Sequence, residues 1–338
     1  MIPPADLAAM DAALAPLWPR LDGARLFVTG GTGFIGRWML EALARAPIAV
    51  EAVLLSRDPA RFAAQAPHLA RRFHLIAGDI ARFTPPPGPF THVIHGAADA
   101  SAALNAHDPL CMFTTIVDGT RRMLDCARGW QAGRIMFMSS GAVYGAQPPD
   151  VPHVPETWPG APDPRDPQSA YGEGKRAAEM LCAIYGRQFG LDVVTTRIFA
   201  LLGPLLSLDI HFAAGNFIRD AMAGRTIRVE SAGTAVRSYL YAADLAVWMW
   251  TALIAGRAGA AYNVGSEEAV SIADLARLTA RVLGAPEVEI LGRPDPGWNP
   301  GRYVPSTALI RRELGVRPTV ALDEAIRRTA FSHGFSHG

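Results

Sequence analysis

The sequence predicts an α/β fold with a doubly wound, mostly parallel sheet and a smaller C-terminal lobe. From Arg25 to about Ile198, apolar β-rich runs alternate with segments of helical spacing, and this alternation implies right-handed crossovers. The runs are apolar throughout, which is typical of strands that helices cover on both faces. With 338 residues, of which 50% are hydrophobic, the chain can form one large domain with a lobe and a sizeable core.

The elements can be placed in order along the chain. Residues 6–18 have apolar side chains at helical spacing and are predicted to form a short helix packed on the main body. Six strands follow, and their predicted positions are 26–28, 50–55, 73–77, 92–94, 135–138 and 193–198. Beyond Gly203 we expect a loop, a helix near 216–223, short strands at 227–229 and 239–241, and a helix from Asp244.

Charge and composition exclude several classes of function. The 32 Lys and Arg residues balance 31 Asp and Glu residues, so no broad basic surface exists for nucleic acid or an anionic membrane. Three dispersed cysteines are too few for a disulfide framework or a zinc site. No run reaches the roughly 18 apolar residues of a membrane helix, and Asp6 and Asp11 stand where a signal peptide has basic residues. We therefore expect a cytoplasmic protein without a bound metal.

A glycine-rich turn at residues 29–36, Thr-Gly-Gly-Thr-Gly-Phe-Ile-Gly, joins the first strand to the following helix. Glycines let backbone N–H groups approach a pyrophosphate at the positive end of the helix dipole, and Gly36 lets the helix pack close to the sheet. At the first βα junction this pattern predicts a Rossmann-type dinucleotide-binding domain. The predicted cofactor-binding residues of the turn are Gly30, Thr32, Gly33, Phe34, Ile35 and Gly36.

The end of the second strand bears on the choice between NAD and NADP. An Asp or Glu at this place would bind a free ribose 2′-hydroxyl, whereas an Arg would bind a 2′-phosphate. The chain has Ser56 and Arg57 here, and Asp58 followed by Pro59 is typical of a helix N-cap. Ser56 and Arg57 therefore favour NADP(H), with NAD(H) as the alternative if Arg57 is an ordinary surface arginine.

A candidate reaction centre follows the strand at 135–138. Ser140 stands at the carboxyl end of this strand, and Tyr171 and Lys175, four residues apart on a predicted helix, share one face. A free tyrosine has a pKa of about 10 and is a poor base at neutral pH, but a neighbouring ammonium and an oxidised nicotinamide favour its phenolate. Tyr171 is the predicted acid or base, Lys175 lowers its pKa, and Ser140 binds the reacting oxygen.

With these motifs the sequence resembles the extended short-chain dehydrogenase/reductases, the NAD(P)-dependent epimerase/dehydratase family that acts on nucleotide sugars. The likeness covers nearly the whole chain and includes the segments 78–80, 95–98, 197–204, 237–244 and 262–265. It implies that Asp79, with Ile80 beside it, contacts the adenine. It also implies that Ala97 and Ala98 lie on the ribose-phosphate side of the cofactor.

The resemblance further implies a pocket for a nucleotide-diphosphate sugar. Asn216 and Arg237 would face the diphosphate, where a guanidinium can pair with two oxygens; a helix-cap Asn and a salt-bridged Arg are the alternatives. His211 and Arg302 stand in the predicted substrate loops, although a structural hydrogen bond explains His211 equally well. His95 ends a strand, where packing explains it better than catalysis.

Two positions near the candidate reaction centre depart from the pattern of the family's 4,6-dehydratases. By resemblance, the 4,6-dehydratases have Asp and Glu before Val-Tyr-Gly, which protonate the leaving hydroxyl and remove the C5 proton. This chain has Gly141 and Ala142 at those positions. The missing side chains also count against decarboxylases and 3,5-epimerases, so hydride transfer at a single carbon remains.

The leading hypothesis is an NADP-dependent reductase of a nucleotide-linked 4-keto (6-deoxy) sugar, in which hydride passes from nicotinamide C4 to sugar C4. A 4-epimerase with tightly bound NAD would use the same residues. Arg57 favours the reductase, because a dissociating NADPH suits net reduction. A 4,6-dehydratase, a catalytically inactive dinucleotide-binding protein and a reductase of a non-nucleotide ketone are further alternatives.

The motifs divide the chain into a helical extension (1–23), the dinucleotide-binding domain (24–200, to which 237–262 returns) and a substrate-binding lobe (201–338). The family also implies a homodimer built on the Tyr-Lys helix. An outer apolar stripe on this helix is the predicted interface, with burial inside the monomer as the competing explanation. The stripe consists of Ala177, Ala178, Leu181 and Ile184.

Overall fold

The computed structural model describes residues 2–97, 102–209, 213–293 and 301–335. The strands in these ranges are β1 (Arg25–Thr29), β2 (Glu51–Ser56), β3 (His74–Ala77), β4 (His92–His95), β5 (Arg134–Ser140), β6 (Val193–Ile198), β7 (Leu201–Leu202), β8 (Ile227–Val229), β9 (Val236–Arg237), β10 (Leu240–Tyr241), β11 (Ala261–Val264), β12 (Val270–Ser271), β13 (Val288–Ile290) and β14 (Arg302–Tyr303). The helices are α1 (Pro4–Leu14), α2 (Phe34–Arg45), α3 (Pro59–Gln65), α4 (Pro67–Arg72), α5 (Ala102–His107), α6 (Pro109–Gly129), α7 (Ala170–Phe189), α8 (Ala213–Met222), α9 (Ala242–Ala255), α10 (Ile272–Leu283), α11 (Ala308–Leu314) and α12 (Leu322–Ser332).

A parallel sheet forms the centre of the molecule. Its seven strands in the described ranges have the order β3-β2-β1-β4-β5-β6-β11, and every neighbouring pair is parallel. The first six strands in chain order are the six that the sequence predicts. The chain therefore has the doubly wound, Rossmann-like α/β fold that was expected, with the order reversing between β1 and β4.

Helices cover both faces of this sheet, and each face has its own apolar core. Along β1, Leu26 and Val28 point to the side on which α2 and α9 lie, whereas Phe27 points to the side of α6 and α7. All three side chains are buried. Burial on alternate faces explains why the strands are apolar throughout.

Three smaller sheets are formed mainly by the C-terminal part of the described residues. Strand β10 pairs with β7, β13 pairs with β8, and β9 lies between β12 and β14. The strand predicted at 239–241 corresponds to β10. The structure adds the short strand β9 before it, which the sequence did not predict and which belongs to a different small sheet.

The N-terminal helix is shorter than predicted. It ends at Leu14 instead of residue 18, because Pro16 has no backbone N–H with which to continue the helical hydrogen bonds. A single 3₁₀ turn follows at Trp18–Leu21. Helix α1 packs against α9, as expected for a helix held on the main body.

The predicted outer stripe on α7 is wrong for two of its four residues. Ala178 is fully buried and Leu181 packs into the core beneath α6 and α7, because these residues share the inner face of the helix. The exposed apolar side chains of α7 include Met180, at 62% exposure, and Ile184, at 38%.

Two kinds of feature are absent from the described ranges. None of their helices is both long and apolar enough to cross a membrane. Likewise, no group of three side chains from His, Cys, Asp or Glu in these ranges could hold a metal ion.

Candidate active site

The candidate site lies at the carboxyl edge of the central sheet. Thr29, Ser56, His95 and Ser140 end the parallel strands β1, β2, β4 and β5, so their side chains meet along this edge. Ligands of open α/β sheets bind in the crevice outside this edge, where the strand order reverses.

The glycine turn has the shape of a phosphate cradle. Gly30 has a φ of +76°, and a Cβ there would lie 2.5 Å from the backbone carbon of Gly96. A Cβ on Gly36 would overlap the carbonyl oxygen of Gly30. Helix α2 begins at Phe34, and its N-cap residue, Gly33, has no side chain that could cap the helix. The turn thus offers close backbone approach and a helix N-terminus, which together fit a dinucleotide pyrophosphate. Thr32 and Ile35 complete the turn and the first helical residues.

At the end of β2, Asp58 caps the following helix, as the sequence predicted. Its carboxylate accepts a hydrogen bond from the Arg61 N–H at 2.9 Å and caps α3, with Pro59 at the first helical position. The buried Ser56 accepts from the Asp58 N–H at 3.2 Å. Arg57 is exposed between them at the carboxyl end of the strand. The Asp58 carboxylate is therefore engaged in helix capping.

The predicted adenine side is built by a short turn after β3. Asp79 accepts a hydrogen bond from the Ala81 N–H at 2.9 Å, and Ile80 is buried. Ile80 packs against Gly119 of α6, where a Cβ would lie 3.1 Å from the isoleucine side chain. The predicted cofactor residue Ala98 lies outside the described residues.

His95 is held by two threonine hydroxyls. Its Nδ1 is 2.8 Å from Thr29 Oγ1, and its Nε2 is 3.1 Å from Thr120 Oγ1. Thr29 Oγ1 also accepts from the Ala97 N–H at 3.1 Å. Burial lowers the pKa of His95 to about 3, and the charge of Lys175 acts in the same direction. The ring is therefore neutral at physiological pH and supports the turn at Ala97, which agrees with a packing role.

Ser140, Tyr171 and Lys175 meet beside the end of β5. Ser140 and Lys175 are buried, and the Lys175 Nζ donates to the carbonyl oxygen of Met138 at 2.7 Å. The same ammonium lies 4.9 Å from the centre of the Phe137 ring. Tyr171 lies one helical turn before Lys175 on α7, and the two residues share a face of the helix.

An asparagine fixes the start of the helix that carries Tyr171. The Asn105 side chain on α5 accepts from the Tyr171 N–H at 3.0 Å and donates to the Gln168 carbonyl oxygen at 2.8 Å. The amide thus joins Gln168, just before α7, to the second residue of the helix and fixes the backbone from which the Tyr171 side chain projects.

Burial controls the protonation of these groups. It raises the pKa of Tyr171, which a hydrogen bond with Ser140 partly opposes. It lowers the pKa of Lys175 to about 8, while the negative charge of Glu179 acts in the opposite direction. In the protein alone Tyr171 is therefore a phenol, which suits a proton donor. The predicted phenolate depends on an oxidised nicotinamide as well as on Lys175, so it stays a prediction for the protein with its cofactor bound.

The space that a side chain at residue 141 would need is filled by two aromatic residues. A Cβ at this position would lie 2.6 Å from the Phe199 ring and 2.7 Å from the hydroxyl oxygen of Tyr303. No side chain fits at residue 141 without displacing one of these rings, and Ala142 is the next residue. Positions 141 and 142 therefore provide neither an acid nor a base side chain. At residue 141 there is also no space for one.

A hydrogen-bonded network supports the strand behind the site. Glu179 accepts from the Ser139 hydroxyl at 2.6 Å and pairs with Arg197, whose Nη2 is 2.7 Å from its Oε2. Arg197 Nη1 donates to the Tyr144 hydroxyl at 2.8 Å, and that hydroxyl donates to the Asn263 side chain at 2.7 Å. The network connects β5, α7, β6 and β11.

Arg237 lies beside Tyr303 in the small sheet of the lobe. The two residues are register partners on the parallel strands β9 and β14, so their side chains share a face. The Arg237 guanidinium donates to the carbonyl oxygens of Val236 at 2.9 Å and Gly301 at 3.2 Å. Its charge acts on the Tyr303 hydroxyl, which in turn adjoins Ser140. The structure thus places this candidate diphosphate residue next to the reaction centre.

The other predicted substrate residues are placed differently. The side chain of Arg302 donates to the Pro152 carbonyl oxygen at 2.7 Å. As the strand neighbour of Tyr303, it points to the opposite face of β14, so the structure does not bring it to Ser140. Asn216 is half-buried in the first turns of α8, and His211 lies outside the described residues.

Sequence reasoning missed Glu179 and Tyr303. Glu179 had a detectable signal, because it follows Lys175 by four residues and shares its helix face. Tyr303 had none, because its position depends on the pairing of β14 with β9 across more than 60 residues.

Residues 26–265 match the model of the NAD dependent epimerase/dehydratase family. UDP-glucuronic acid decarboxylase 6 of Arabidopsis thaliana is 31% identical over 89% of this chain and 86% of its own length. A structure of UDP-glucose 4-epimerase from Thermus thermophilus in complex with NAD is 26% identical, with a TM-score of 0.76. It covers 92% of this chain and 99% of its own.

A dTDP-glucose 4,6-dehydratase double mutant from Streptomyces venezuelae, with NAD bound, is also 26% identical and has a TM-score of 0.77. The match covers 91% of this chain and 96% of that one. These likenesses confirm the resemblance drawn from the motifs. The protein belongs to the NAD dependent epimerase/dehydratase family and is an NAD(P)-dependent enzyme of the extended short-chain dehydrogenase/reductase type.

Proposed function

We propose that the protein reduces a nucleotide-linked 4-keto sugar at C4, with NADP(H) as its cofactor. The observation that carries this proposal is the reaction centre itself. Ser140, Tyr171 and Lys175 lie together, while Gly141 and Ala142 offer no acid or base for elimination. Hydride transfer at one carbon needs only the first three residues.

Each of these side chains has a defined part in the reduction. The glycine turn would hold a nicotinamide dinucleotide, which would supply the hydride. Ser140 donates a hydrogen bond to the ketone oxygen, and Tyr171, held as a phenol by burial, gives its proton to the oxygen as negative charge develops. Lys175, cationic below a pKa of about 8, stabilises the tyrosine after the proton has left.

The choice of NADP(H) is supported by the end of β2. Arg57 supplies a guanidinium for a 2′-phosphate, and the competing carboxylate of Asp58 is engaged at the N-terminus of α3. An enzyme for net reduction must release its oxidised cofactor, and NADPH is the common dissociable reductant.

The nucleotide diphosphate is assigned to the lobe. Arg237 can pair with phosphate oxygens, and its register partner Tyr303 adjoins Ser140, so a bound diphosphate would hold the sugar near the reaction centre. Asn216 and His211 are further candidates for this pocket. Arg237 also argues against a reductase of a non-nucleotide ketone.

A 4-epimerase is the second candidate. The Thermus thermophilus structure, titled a UDP-glucose 4-epimerase complex with NAD, favours it by similarity over nearly the whole chain. In this reaction the same Tyr171 would accept a proton and later return it. The decarboxylase named for the Arabidopsis relative is less well supported, because the side chains at 141 and 142 are missing.

Three assays separate these reactions. Purified protein would be given UDP- and dTDP-linked 4-keto-6-deoxyglucose with NADPH or NADH, and oxidation of the reduced cofactor would be followed. In parallel it would be given UDP-galactose with NAD, and UDP-glucuronic acid with NAD. We expect turnover of a keto sugar with NADPH. Epimerisation of UDP-galactose without net cofactor consumption would replace the proposal with the 4-epimerase, and release of CO₂ from UDP-glucuronic acid would contradict both.

Native mass spectrometry gives an independent answer. The protein as purified would show any retained nucleotide by its mass. NADP that exchanges freely supports the reductase, whereas retained NAD supports the epimerase. A retained sugar nucleotide would identify the substrate class directly.

We also propose a cytoplasmic homodimer. Cys111, Cys126 and Cys182 are all free thiols, which suits a reducing compartment. The exposed Met180 and Ile184 on α7 supply apolar surface for a second copy. Analytical ultracentrifugation of the wild type and of a Met180→Lys, Ile184→Glu variant tests the dimer, which is contradicted if the wild type sediments as a monomer.

A further inference from the structure

Tyr303 brings a third hydroxyl to the reaction centre. Its Oη lies 3.5 Å from Ser140 Oγ and 3.4 Å from the carbonyl oxygen of Ile198. The ring packs against Phe199, with 4.5 Å between the ring centroids. The same hydroxyl occupies the space that a side chain at Gly141 would need. The serine thus has tyrosines from two parts of the chain beside it, since Tyr171 also lies close enough for Ser140 to act on its pKa.

The Tyr303 hydroxyl is neutral over the physiological range. Burial raises its pKa well above that of a free tyrosine, the charge of a Tyr171 phenolate would raise it further, and Arg237 acts in the opposite direction. A protonated phenol can donate one hydrogen bond and accept another. Tyr303 can therefore bond to Ser140 throughout a catalytic cycle without taking a proton from it.

The strand that carries Tyr303 also connects it to the diphosphate pocket. Tyr303 and Arg237 are register partners, and the Arg237 guanidinium donates to the Gly301 carbonyl oxygen just before β14. A phosphate that engages Arg237 would therefore act on the segment that holds Tyr303. Binding energy from a part of the substrate remote from the ketone can be used at the reacting carbon in this way.

We propose that Tyr303 is a positioning residue for hydride transfer, whose hydroxyl holds the Ser140 Oγ in the orientation that binds the reacting oxygen. This role rests on the proposed function. The separation of 3.5 Å is at the outer limit of an O–H···O bond, and hydrogen bonds of reaction centres commonly shorten when the substrate binds. Tyr303 acts through Ser140, so its contribution should disappear when the serine hydroxyl is removed.

A double-mutant cycle tests this dependence. Ser140→Ala, Tyr303→Phe and the double variant would be compared with the wild type in the NADPH assay, with kcat and KM measured separately. We expect Tyr303→Phe to lower kcat roughly tenfold, the effect of one lost hydrogen bond, with KM changed less than about twofold. In the Ser140→Ala background the same change should have almost no further effect on kcat.

Two controls separate positioning from folding. Phe199→Leu disturbs the same ring packing but leaves every hydroxyl in place, so its effect on kcat should be equal in the presence and absence of the Ser140 hydroxyl. Tyr185→Phe removes a hydroxyl that bonds Asp125 outside the site and should leave kcat unchanged. Independent, multiplicative losses for Tyr303→Phe and Ser140→Ala, or wild-type kcat for Tyr303→Phe, would overturn the positioning role alone.

Failure of the proposed function has a different signature. It is seen in the wild type, which would not oxidise NADPH with a keto sugar. If the wild type instead interconverts UDP-galactose and UDP-glucose, the same cycle is measured on that reaction and decides the role of Tyr303 there. A wild type inactive on both substrates overturns both proposals.

Discussion

Arg197 and Glu179 form a bidentate ion pair directly behind the strand that carries Ser140. Arg197 Nε lies 3.0 Å from Glu179 Oε1 and its Nη2 lies 2.7 Å from Oε2, with both side chains 16% exposed. Ser139 donates to the same carboxylate. This arrangement fixes the end of β5 from the side opposite to Ser140, because adjacent strand residues point to opposite faces.

Loss of that carboxylate should weaken both the fold and the reaction centre. We expect Glu179→Gln to lower the free energy of unfolding by about 2 to 3 kcal/mol, because it leaves the Arg197 charge without its ionic partner. Urea unfolding measures this change. Glu51→Gln, which removes an exposed partner of Arg25, is the matched control and should have a much smaller effect. Equal effects of the two substitutions would contradict the importance of the buried pair.

His95 should make the protein sensitive to mild acid. Its pKa is about 3 in the folded state against about 6.5 when unfolded, so between these values the unfolded state binds more protons. Stability is therefore lost as the pH falls below 6.5, at up to about 1.4 kcal/mol per pH unit from this residue. His95→Gln should reduce that slope in denaturant titrations between pH 6.5 and 4. The control is the same substitution at the exposed His68. An unchanged slope in His95→Gln would refute the assignment of this acid sensitivity to His95.

Gly141 should tolerate no larger side chain. Gly141→Ala places a methyl group against Phe199 and Tyr303, and we expect a destabilisation of about 1 to 3 kcal/mol with a loss of activity. Thermal unfolding and the reductase assay measure the two effects. Adding Phe199→Leu should restore part of the stability, because it shortens the obstructing ring. Ala142→Ser, at a half-buried neighbour, is the control for a small enlargement, and stability loss equal to that of Gly141→Ala would argue against the steric account.

Arg57 should set the cofactor preference. We expect Arg57→Glu to reduce the ratio of kcat/KM for NADPH to that for NADH roughly 10- to 100-fold, because a charge-assisted bond to the 2′-phosphate is replaced by repulsion. Asp58→Ala is the matched neighbour. It removes the cap of α3 and should cost about 1 kcal/mol of stability while leaving the cofactor ratio unchanged. A ratio that responds to Asp58 and not to Arg57 would reverse the assignment.

The sequence was sufficient where structure is encoded locally. The six apolar runs, the glycine turn and the Asp58-Pro59 cap each depend on a few neighbouring residues, and each was predicted in its correct place. The side-chain periodicity of α7 likewise brought Tyr171 and Lys175 onto one face.

Sequence reasoning was insufficient where distant strands decide the outcome. The pairing of β14 with β9 turns Tyr303 toward Ser140 and Arg302 away from it, and neither residue carries a local sign of its direction. The inner face of α7 was misread for the same reason, because only contact with α6 shows that Ala178 and Leu181 face inward.

Asp6, which is 1% exposed, accepts a hydrogen bond from Tyr241 and pairs with Arg328 of α12. The positive partner of this buried carboxylate is separated from it by 322 residues. The charge of Asp6 is therefore balanced only when α12 is in place, and a truncation that removes α12 would leave a buried carboxylate without its positive partner in α1.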